Sequence, residues 1–574
     1  MNKIKNNLKL ILSDKYTNIL VAILTVYIFY NIIVWYVPKA DRHLTYNQVI
    51  YSIECAYIYF VMILFVVNQC LYRFKKSQFE ELMKVNTAKN GYVYYWISLN
   101  IINILTTTIM TVIILIMSSM HNNFTLQYCW YIVRIIALYF FLPGVLAIIL
   151  GMLLTCFNKR IISVIAMVVI ACIVNSSILI DLSHNIKVDK LLIELLKFLP
   201  SKIEYTKPLY AYPIELFDWC RISILIIGAF IIFANIYISN KKLLINIISI
   251  CLLFSMVLLY KEEEKSELLG DLFYTDYIEV LEEQNYNITS YDMDIKIRND
   301  LTVDCTMTPD NTKLEEYRFT LYHTFKVSKV YNQSDKELTF EQNGDHIKVF
   351  SDGNDIEKIR MIYQGKVNVY YADRDATYLS GIFPYYPYAG TYNIQTYKSL
   401  GKVELPPIST GDPEKDKEIN ANRGNELKMP QFGILKSPQK ANFKVNIDSY
   451  MKIYSNLSSN GYNTFEGNTD RLFIIGGFLK EIKIKDITIV YPYLSEIEYT
   501  KEELEKMITE LYECEKEYST DYTISGKKIF IHEYHHPTSI ESANFENDYV
   551  ELYSKKMDIY YKEFLKKKQE EKKE

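Results

Sequence analysis

His532, Glu533, Tyr534, His535 and His536 spell H-E-x-x-H. On a helix, two histidines one turn apart can share a zinc ion while the glutamate between them activates a bound water. The local sequence argues against a helix. KKIFIHEYHH alternates apolar and polar residues, is rich in β-formers and is followed at once by Pro537. It reads as a strand over 527–534. On a strand, His532 and His536 share a face but stand about 13 Å apart, too far for one ion with bonds of about 2 Å. No third ligand follows on a later helix. Of nine cysteines, seven precede residue 252, and Cys305 and Cys514 stand alone in the rest. That is neither a disulfide framework nor a Cys-based zinc site. No G-x-x-x-x-G-K-[ST] occurs, so the chain has no P-loop to cradle ATP phosphates. The expectation is a chain with no catalytic, cofactor-binding or metal site of its own.

The elements that would position these residues divide at residue 260. Residues 1–260 carry 22 Lys and Arg against 11 Asp and Glu, and residues 261–574 carry 41 against 56, so +11 faces −15. The acidic half argues against nucleic acid as a partner, because phosphate binding needs a basic face. A bilayer core asks for about 20 apolar residues per helix. Seven segments qualify as spans: 19–37, 49–71, 96–117, 131–157, 161–180, 219–238 and 243–260, the last the shortest. The basic residues Lys3, Lys5, Lys9 and Lys15, then Arg73, Lys75, Lys76, Lys84 and Lys89, then Lys159 and Arg160, and Lys241 and Lys242 fall on one side if seven spans cross. That side reads as cytoplasmic. Residues 261–574 then lie outside; with six spans they would lie inside. The expected fold is an all-α polytopic membrane bundle followed by a mainly β ectodomain with a small α/β C-terminal part. Its expected domains are 1–242, a seventh helix at 243–260, 261–495 and 496–574.

Few polar groups sit inside the spans. Arg134, ahead of Pro143 and Gly144, is expected to snorkel to headgroups. Asn175 and Asn235 read as interhelical hydrogen-bond partners. There is no Asp, Glu or His chain to relay protons. The loop 72–92 sets Phe79, Leu82 and Met83 at helical spacing among charges, including Glu80 and Glu81. Such an element lies on the membrane surface or against a partner.

Beyond 260, a helix is expected within 261–288, followed by short alternating runs separated by Asn, Asp and Gly, as in an antiparallel sheet or sandwich. YDMDIKI, LTVDCTM, YRFTLYHTF, ELTFEQ, HIKVF and KIRMIYQG form one series, and NFKVNID, KIYSNL, DRLFIIGGF and DITIVYP a second. A helix over 501–518, strands over 527–534 and 549–553, and a closing helix over 555–568 complete the chain. The aromatics of FPYYPY read as core.

Two resemblances sharpen this. Two spans, a charged loop helix, four further spans and a long loop before the sixth resemble the topology of a type-2 ABC exporter permease. That resemblance implies an ATPase subunit docked at loop 72–92, with ATP used by that partner, and a homodimer or second permease chain in the bilayer. The run IYQGKVNVYYADRDATYLSGIFPYYPYAG, with Tyr363, Gly365 and the block 383–390, resembles the N-terminal β domain of the aminopeptidase N family as fused to bacterial permeases. The heavy use of Asn, Ile, Lys and Tyr also looks like coding from an AT-rich bacterial genome. NFKVNID, IYSNL and FEGNTDRLFIIGGF resemble later strands of the same domain, and the resemblance covers roughly 275–553. It places Ala543, Asn544, Phe545, Glu546 and Asn547 where that family carries G-A-M-E-N, whose glutamate binds a substrate's free amine. Glu546 and Asn547 match; the Gly-Ala opening does not. The zinc helix would follow, and 555–574 hold no His. The resemblance implies a truncated, inactive peptidase-like domain on a multi-pass cell-membrane exporter subunit. The alternatives are a membrane-tethered zinc metallopeptidase using His532, Glu533 and His536, or a membrane sensor or scaffold without transport.

Overall fold

The computed structural model describes residues 2–13, 46–76, 91–120, 125–175 except 158, 216–238, 242–263, 285–366 except 299, 370–394 except 371, 434, 438–494, 499–531 except 519, 543–552 and 557–572, with scattered positions at 15–30, 195–199 and 214. The chain forms two compact units that divide between Lys265 and Ser266, apart from two short exchanged segments.

The N-terminal unit is helical: α1 Asn2–Ser13, α2 Tyr46–Lys76, α3 Gly91–Met120, α4 Leu126–Ile136, α5 Leu142–Leu154, α6 Arg160–Val174, α7 Leu216–Tyr237 and α8 Lys242–Glu263. A π turn, Ala137–Phe141, joins α4 to α5 without a break. The Thr125 hydroxyl caps α4 by accepting the Tyr128 N–H at 3.1 Å. Among the described residues, four helical stretches are long and apolar enough to cross a membrane: Cys55–Arg73, Gly91–Ser119, Leu126–Leu154 and Leu216–Tyr237. They coincide with four of the seven expected spans. Arg160–Val174 and Leu243–Leu259 are apolar but shorter. Most of the expected span 19–37, the end of the span 161–180, and residues 264–284 of the stretch where a helix was expected lie outside the described residues, as does 77–90 of the charged loop.

The C-terminal unit is mainly β. Its largest sheet runs β12-β13-β10-β1-β2-β7-β4. The central strands are β1 Ile288–Ile297, β2 Leu301–Pro309, β7 Ile359–Gly365, β10 Ala441–Asp448 and β13 Thr464–Thr469, with β4 Lys326–Tyr331 and β12 Ser458–Gly461 at the edges. Strict alternation explains the central strands. Tyr291, Met293, Ile295 and Ile297 of β1 are buried and line up with Phe443, Val445 and Ile447 of β10, while their neighbours face out. β3 Glu316–Thr320, β5 Phe340–Asn343, β6 His346–Phe350 and β9 Tyr388–Ala389 form a four-stranded sheet. β8 Thr377–Leu379, β11 Ile453–Ser455 and β14 Ile474–Gly476 form a three-stranded one.

The aromatic block is core, as expected: Phe383, Tyr385, Tyr386 and Tyr388 are each at most 1% exposed. The Tyr291 and Phe443 rings stack at 4.7 Å, and Tyr386 meets both edge-on. Gly365 has a steric reason. A Cβ there would lie 2.4 Å from the Thr324 carbonyl oxygen and 2.8 Å from the Phe325 Cα, where the chain enters β4.

The sheet is antiparallel as expected at its other pairings, but β1 and β10 pair in parallel. The structure also ends the YRFTLYHTF strand at Thr320 and opens β4 after Phe325. β4 is an edge strand with mostly exposed side chains, so it carries no alternation to read.

A five-stranded sheet, β15-β16-β17-β19-β18, closes the chain. It comprises β15 Leu479–Ile484, β16 Ile487–Pro492, β17 Lys528–Ile531, β18 Ala543–Phe545 and β19 Tyr549–Leu552. The β16, β17 and β19 strands are parallel, and β18 returns antiparallel as the edge. Helices α9 Lys501–Glu517 and α10 Met557–Glu571 cover it. Leu504, Ile508 and Leu511 of α9 and Tyr561 and Leu565 of α10 bury against Ile487, Ile489, Ile529, Ile531, Val550 and Leu552. This follows the small α/β part expected at the C-terminus.

Candidate functional site

The segment Ala543 to Asn547 sits on the edge hairpin of the five-stranded sheet. Asn544 pairs with Glu551 and Phe545 with Val550 across the ladder, and the Glu546 N–H closes the turn onto the Tyr549 carbonyl at 3.0 Å. The turn aims Glu546 inward. Its side chain and that of Arg471 are 11% and 4% exposed, and they form an ion pair at 2.9 Å. Arg471 comes from the loop between β13 and β14, so the pair ties two distant stretches of one unit together.

Several polar groups of the hairpin tip have internal partners. Glu546 Oε1 accepts from Arg471 Nη1 and from Asn544 Nδ2 at 3.1 Å. The Glu546 carbonyl accepts from the Tyr522 hydroxyl at 2.9 Å and from Lys527 Nζ at 3.0 Å. Asn547 Nδ2 donates to Asp470 Oδ2 at 2.8 Å, and Arg471 Nη2 to the Ile434 carbonyl at 3.1 Å. Gly381 makes the space: a Cβ there would fall 2.4 Å from the Tyr549 hydroxyl and 2.9 Å from the Arg471 Cβ. A second buried carboxylate lies on β19. Glu551 accepts from the Tyr378 hydroxyl at 3.0 Å and from Ser380 Oγ at 3.1 Å.

Burial sets the electrostatics. It raises the Glu546 carboxyl above its usual range, and the Arg471 guanidinium partly offsets that. It pushes the Lys527 ammonium down to about 8 against the pull of nearby Asp548, Glu515 and Glu546. This pocket of charge holds a carboxylate already engaged by a guanidinium. What it does in this arrangement is join strands.

His532, Glu533, Tyr534, His535 and His536 lie outside the described residues, and β17 ends at Ile531. Among the described residues no three His, Cys, Asp or Glu come together as a metal site.

In the N-terminal unit, Arg134 is buried and donates to the Ile214 carbonyl at 3.4 Å. It turns into the bundle and not out to headgroups. Asn235 is an interhelical partner, as expected: Asn246 Nδ2 on α8 donates to its Oδ1 at 2.9 Å. The N–H of Asn175, the C-cap of α6, donates to the Cys172 carbonyl. Sequence reasoning missed the polar node built by Asn103 and Tyr59, where the Tyr59 hydroxyl donates to Asn103 Oδ1 at 2.6 Å. The signal was a pair of amides, Asn100 and Asn103, and three threonines inside a membrane-length helix.

No family model matches the chain, and no curated protein matches it. Solved structures similar to it include yeast LTA4 hydrolase, at 10% identity and TM-score 0.29 over 48% of this chain and 43% of that one. An M1 zinc metallopeptidase from Deinococcus radiodurans is similar at 13% identity and TM-score 0.27, over 46% of this chain and 60% of that one. An aminopeptidase N family protein from Idiomarina loihiensis is similar at 9% identity and TM-score 0.28, over 46% and 41%. This chain spans less than two thirds of each.

Proposed function

We propose that this chain is the membrane subunit of an ABC-type exporter, carrying an extracytoplasmic peptidase-like domain that binds and does not cleave. The helical N-terminal unit, with four stretches fit to cross a bilayer, supports the transport half of this reading. The clustering of Lys and Arg in alternate loops supports an outward C-terminal domain. The motor is a separate ATPase received at loop 72–92, since the chain has no P-loop. The bundle works as a homodimer or beside a second permease chain.

The Arg471–Glu546 pair carries the non-cleaving half of the reading. A carboxylate that takes a substrate's ammonium must have an oxygen open to it. Here Arg471 supplies that positive charge from within.

Charge reversal at Lys75, Lys76, Glu80 and Glu81 is expected to abolish association with the ATPase, and unchanged co-purification contradicts the docking assignment. The rival reading is a zinc peptidase using His532, Glu533 and His536. Metal analysis of the purified full chain decides it: stoichiometric zinc that is lost in His532→Ala overturns the non-cleaving reading.

A further inference from the structure

The helix that runs from Leu126 to Leu154 is interrupted at its middle by the π turn Ala137–Phe141, where the Leu142 N–H reaches back five residues to the Ala137 carbonyl. A π turn holds one residue more than an α turn and is a common mark of a functional position. Pro143 stands one residue beyond Leu142 and has no N–H to give the preceding turn. The helix is thus short of one of its own hydrogen bonds at this place, and two other helices meet it at the same height. Asn103 of α3 donates its Nδ2 to the Phe141 carbonyl at 3.0 Å. Tyr59 of α2 donates its hydroxyl to Asn103 Oδ1 at 2.6 Å, and its ring meets Phe140 edge-on at 5.6 Å. Tyr59 and Asn103 are 1% and 3% exposed. Gly144 completes the arrangement. A Cβ on it would stand 2.5 to 2.9 Å from three atoms of the Asn103 amide, so only glycine lets that amide reach the helix.

We propose that Ala137–Phe141 is a two-register hinge, held in its π form by a clasp of Tyr59 and Asn103. When the clasp opens, the turn relaxes to α geometry and the downstream half, α5, rotates by about 100°, one residue's worth of helix. Both states keep the backbone bonded within the bundle, which apolar surroundings demand. The clasp is made of neutral groups alone, so it opens without exposing a charge to lipid. A bulge, a proline, a glycine with no room for a side chain and a two-residue clasp meet at one height of one helix. A merely tolerated irregularity needs none of the last three.

The test uses the full chain in lipid nanodiscs with spin labels at two exposed positions, Leu105 on α3 and Phe157 just past α5, in a background with the native cysteines replaced. Pulsed electron–electron resonance reads the distance distribution. Asn103→Leu and Gly144→Ala are expected to raise the minor distance relative to the main one by about fivefold, the weight of one hydrogen bond. Tyr59→Phe keeps the ring and removes only the hydroxyl, and shifts the same ratio in the same direction. Asn235→Leu removes a neutral interhelical bond elsewhere and leaves the distribution unchanged. Coincident distributions for wild type, Asn103→Leu and Gly144→Ala overturn the proposal, as does an equal shift in Asn235→Leu. Should the first two variants fail to fold, an unchanged distribution in Tyr59→Phe overturns it. The readout is the helix and not transport, so this inference and the exporter reading fail separately.

Discussion

The two units of this chain each bury a polar node, and the nodes are built on opposite plans. In the N-terminal unit, Tyr59, Asn103 and the Phe141 carbonyl meet as neutral groups. In the C-terminal unit, Arg471 and Glu546 meet as a full ion pair, with Asp470, Lys527 and Tyr522 around them. The difference follows from the surroundings. In a bundle that faces hydrocarbon, a contact whose partners move apart is better made of neutral groups, because a lone charge there is costly. A node in a packed β domain whose partners do not move can carry a charge pair, provided both members stay. The neutral node therefore suits a moving part, and the charged node suits a fixed joint.

The sharpest way to break the contrast is to remove one charge. Arg471→Met leaves Glu546 buried without its partner and is expected to destabilise the C-terminal unit by about 3–5 kcal/mol, read by calorimetric melting of the full chain. Arg471→Met combined with Glu546→Leu recovers most of that loss. If the single and double variants melt alike, the joint is not an ion pair in any energetic sense. At the neutral node, Asn103→Leu is expected to cost about 1 kcal/mol, the scale of interhelical hydrogen bonds in membranes. A loss as large as that of Arg471→Met would remove the distinction between the two nodes.

The surround of the charged node titrates. Lys527 is partly buried and its pKa is lowered to about 8 from 10.5. A lowered folded pKa gives stability that is fully present above the unfolded value and lost as pH falls through the folded one. Stability is thus expected to rise between about pH 8 and 10.5, and a pH series of melts should show the rise gone in Lys527→Met. Solvent screening at this partly open site keeps the effect below that of Arg471→Met. The smallest effect belongs to an exposed pair. Arg298 and Asp448 lie 2.7 Å apart with 30% and 62% of their side chains exposed. Arg298→Ala is expected to cost less than about 1 kcal/mol by the same melt. A cost near that of Arg471→Met would show that burial is not what separates the two ion pairs.

Much of this was legible in the amino-acid sequence, for physical reasons that differ by element. The division near residue 260 shows because long apolar runs have one use and alternating runs another. β1, β2 and β10 show because one face is buried and the other is not, so every second residue is apolar. The FPYYPY aromatics read as core, and they are core. β4 did not show, because an edge strand with little buried surface has no pattern to leave. The parallel pairing of β1 with β10 did not show either, since some 150 residues separate Ser290 from Asn442 and no local signal reports so distant a neighbour. The candidate site divides in the same way. Glu546 and Asn547 stand out within a short motif, but Arg471 lies 75 residues before Glu546 in an unremarkable Asp-Arg-Leu loop. Asn103 was passed over because threonines and asparagines in an apolar run read as neutral background until their partners are seen.

The account stands on the pairing of this membrane unit with a separate motor. Purification of the wild-type full chain from its native membrane, with mass spectrometry of the complex, tests that most directly. The account predicts a P-loop ATPase in fixed stoichiometry, lost when Lys75, Lys76, Glu80 and Glu81 are reversed in charge. A wild-type chain that purifies intact with no ATPase, or one whose ATPase stays bound after the charge reversal, would contradict it.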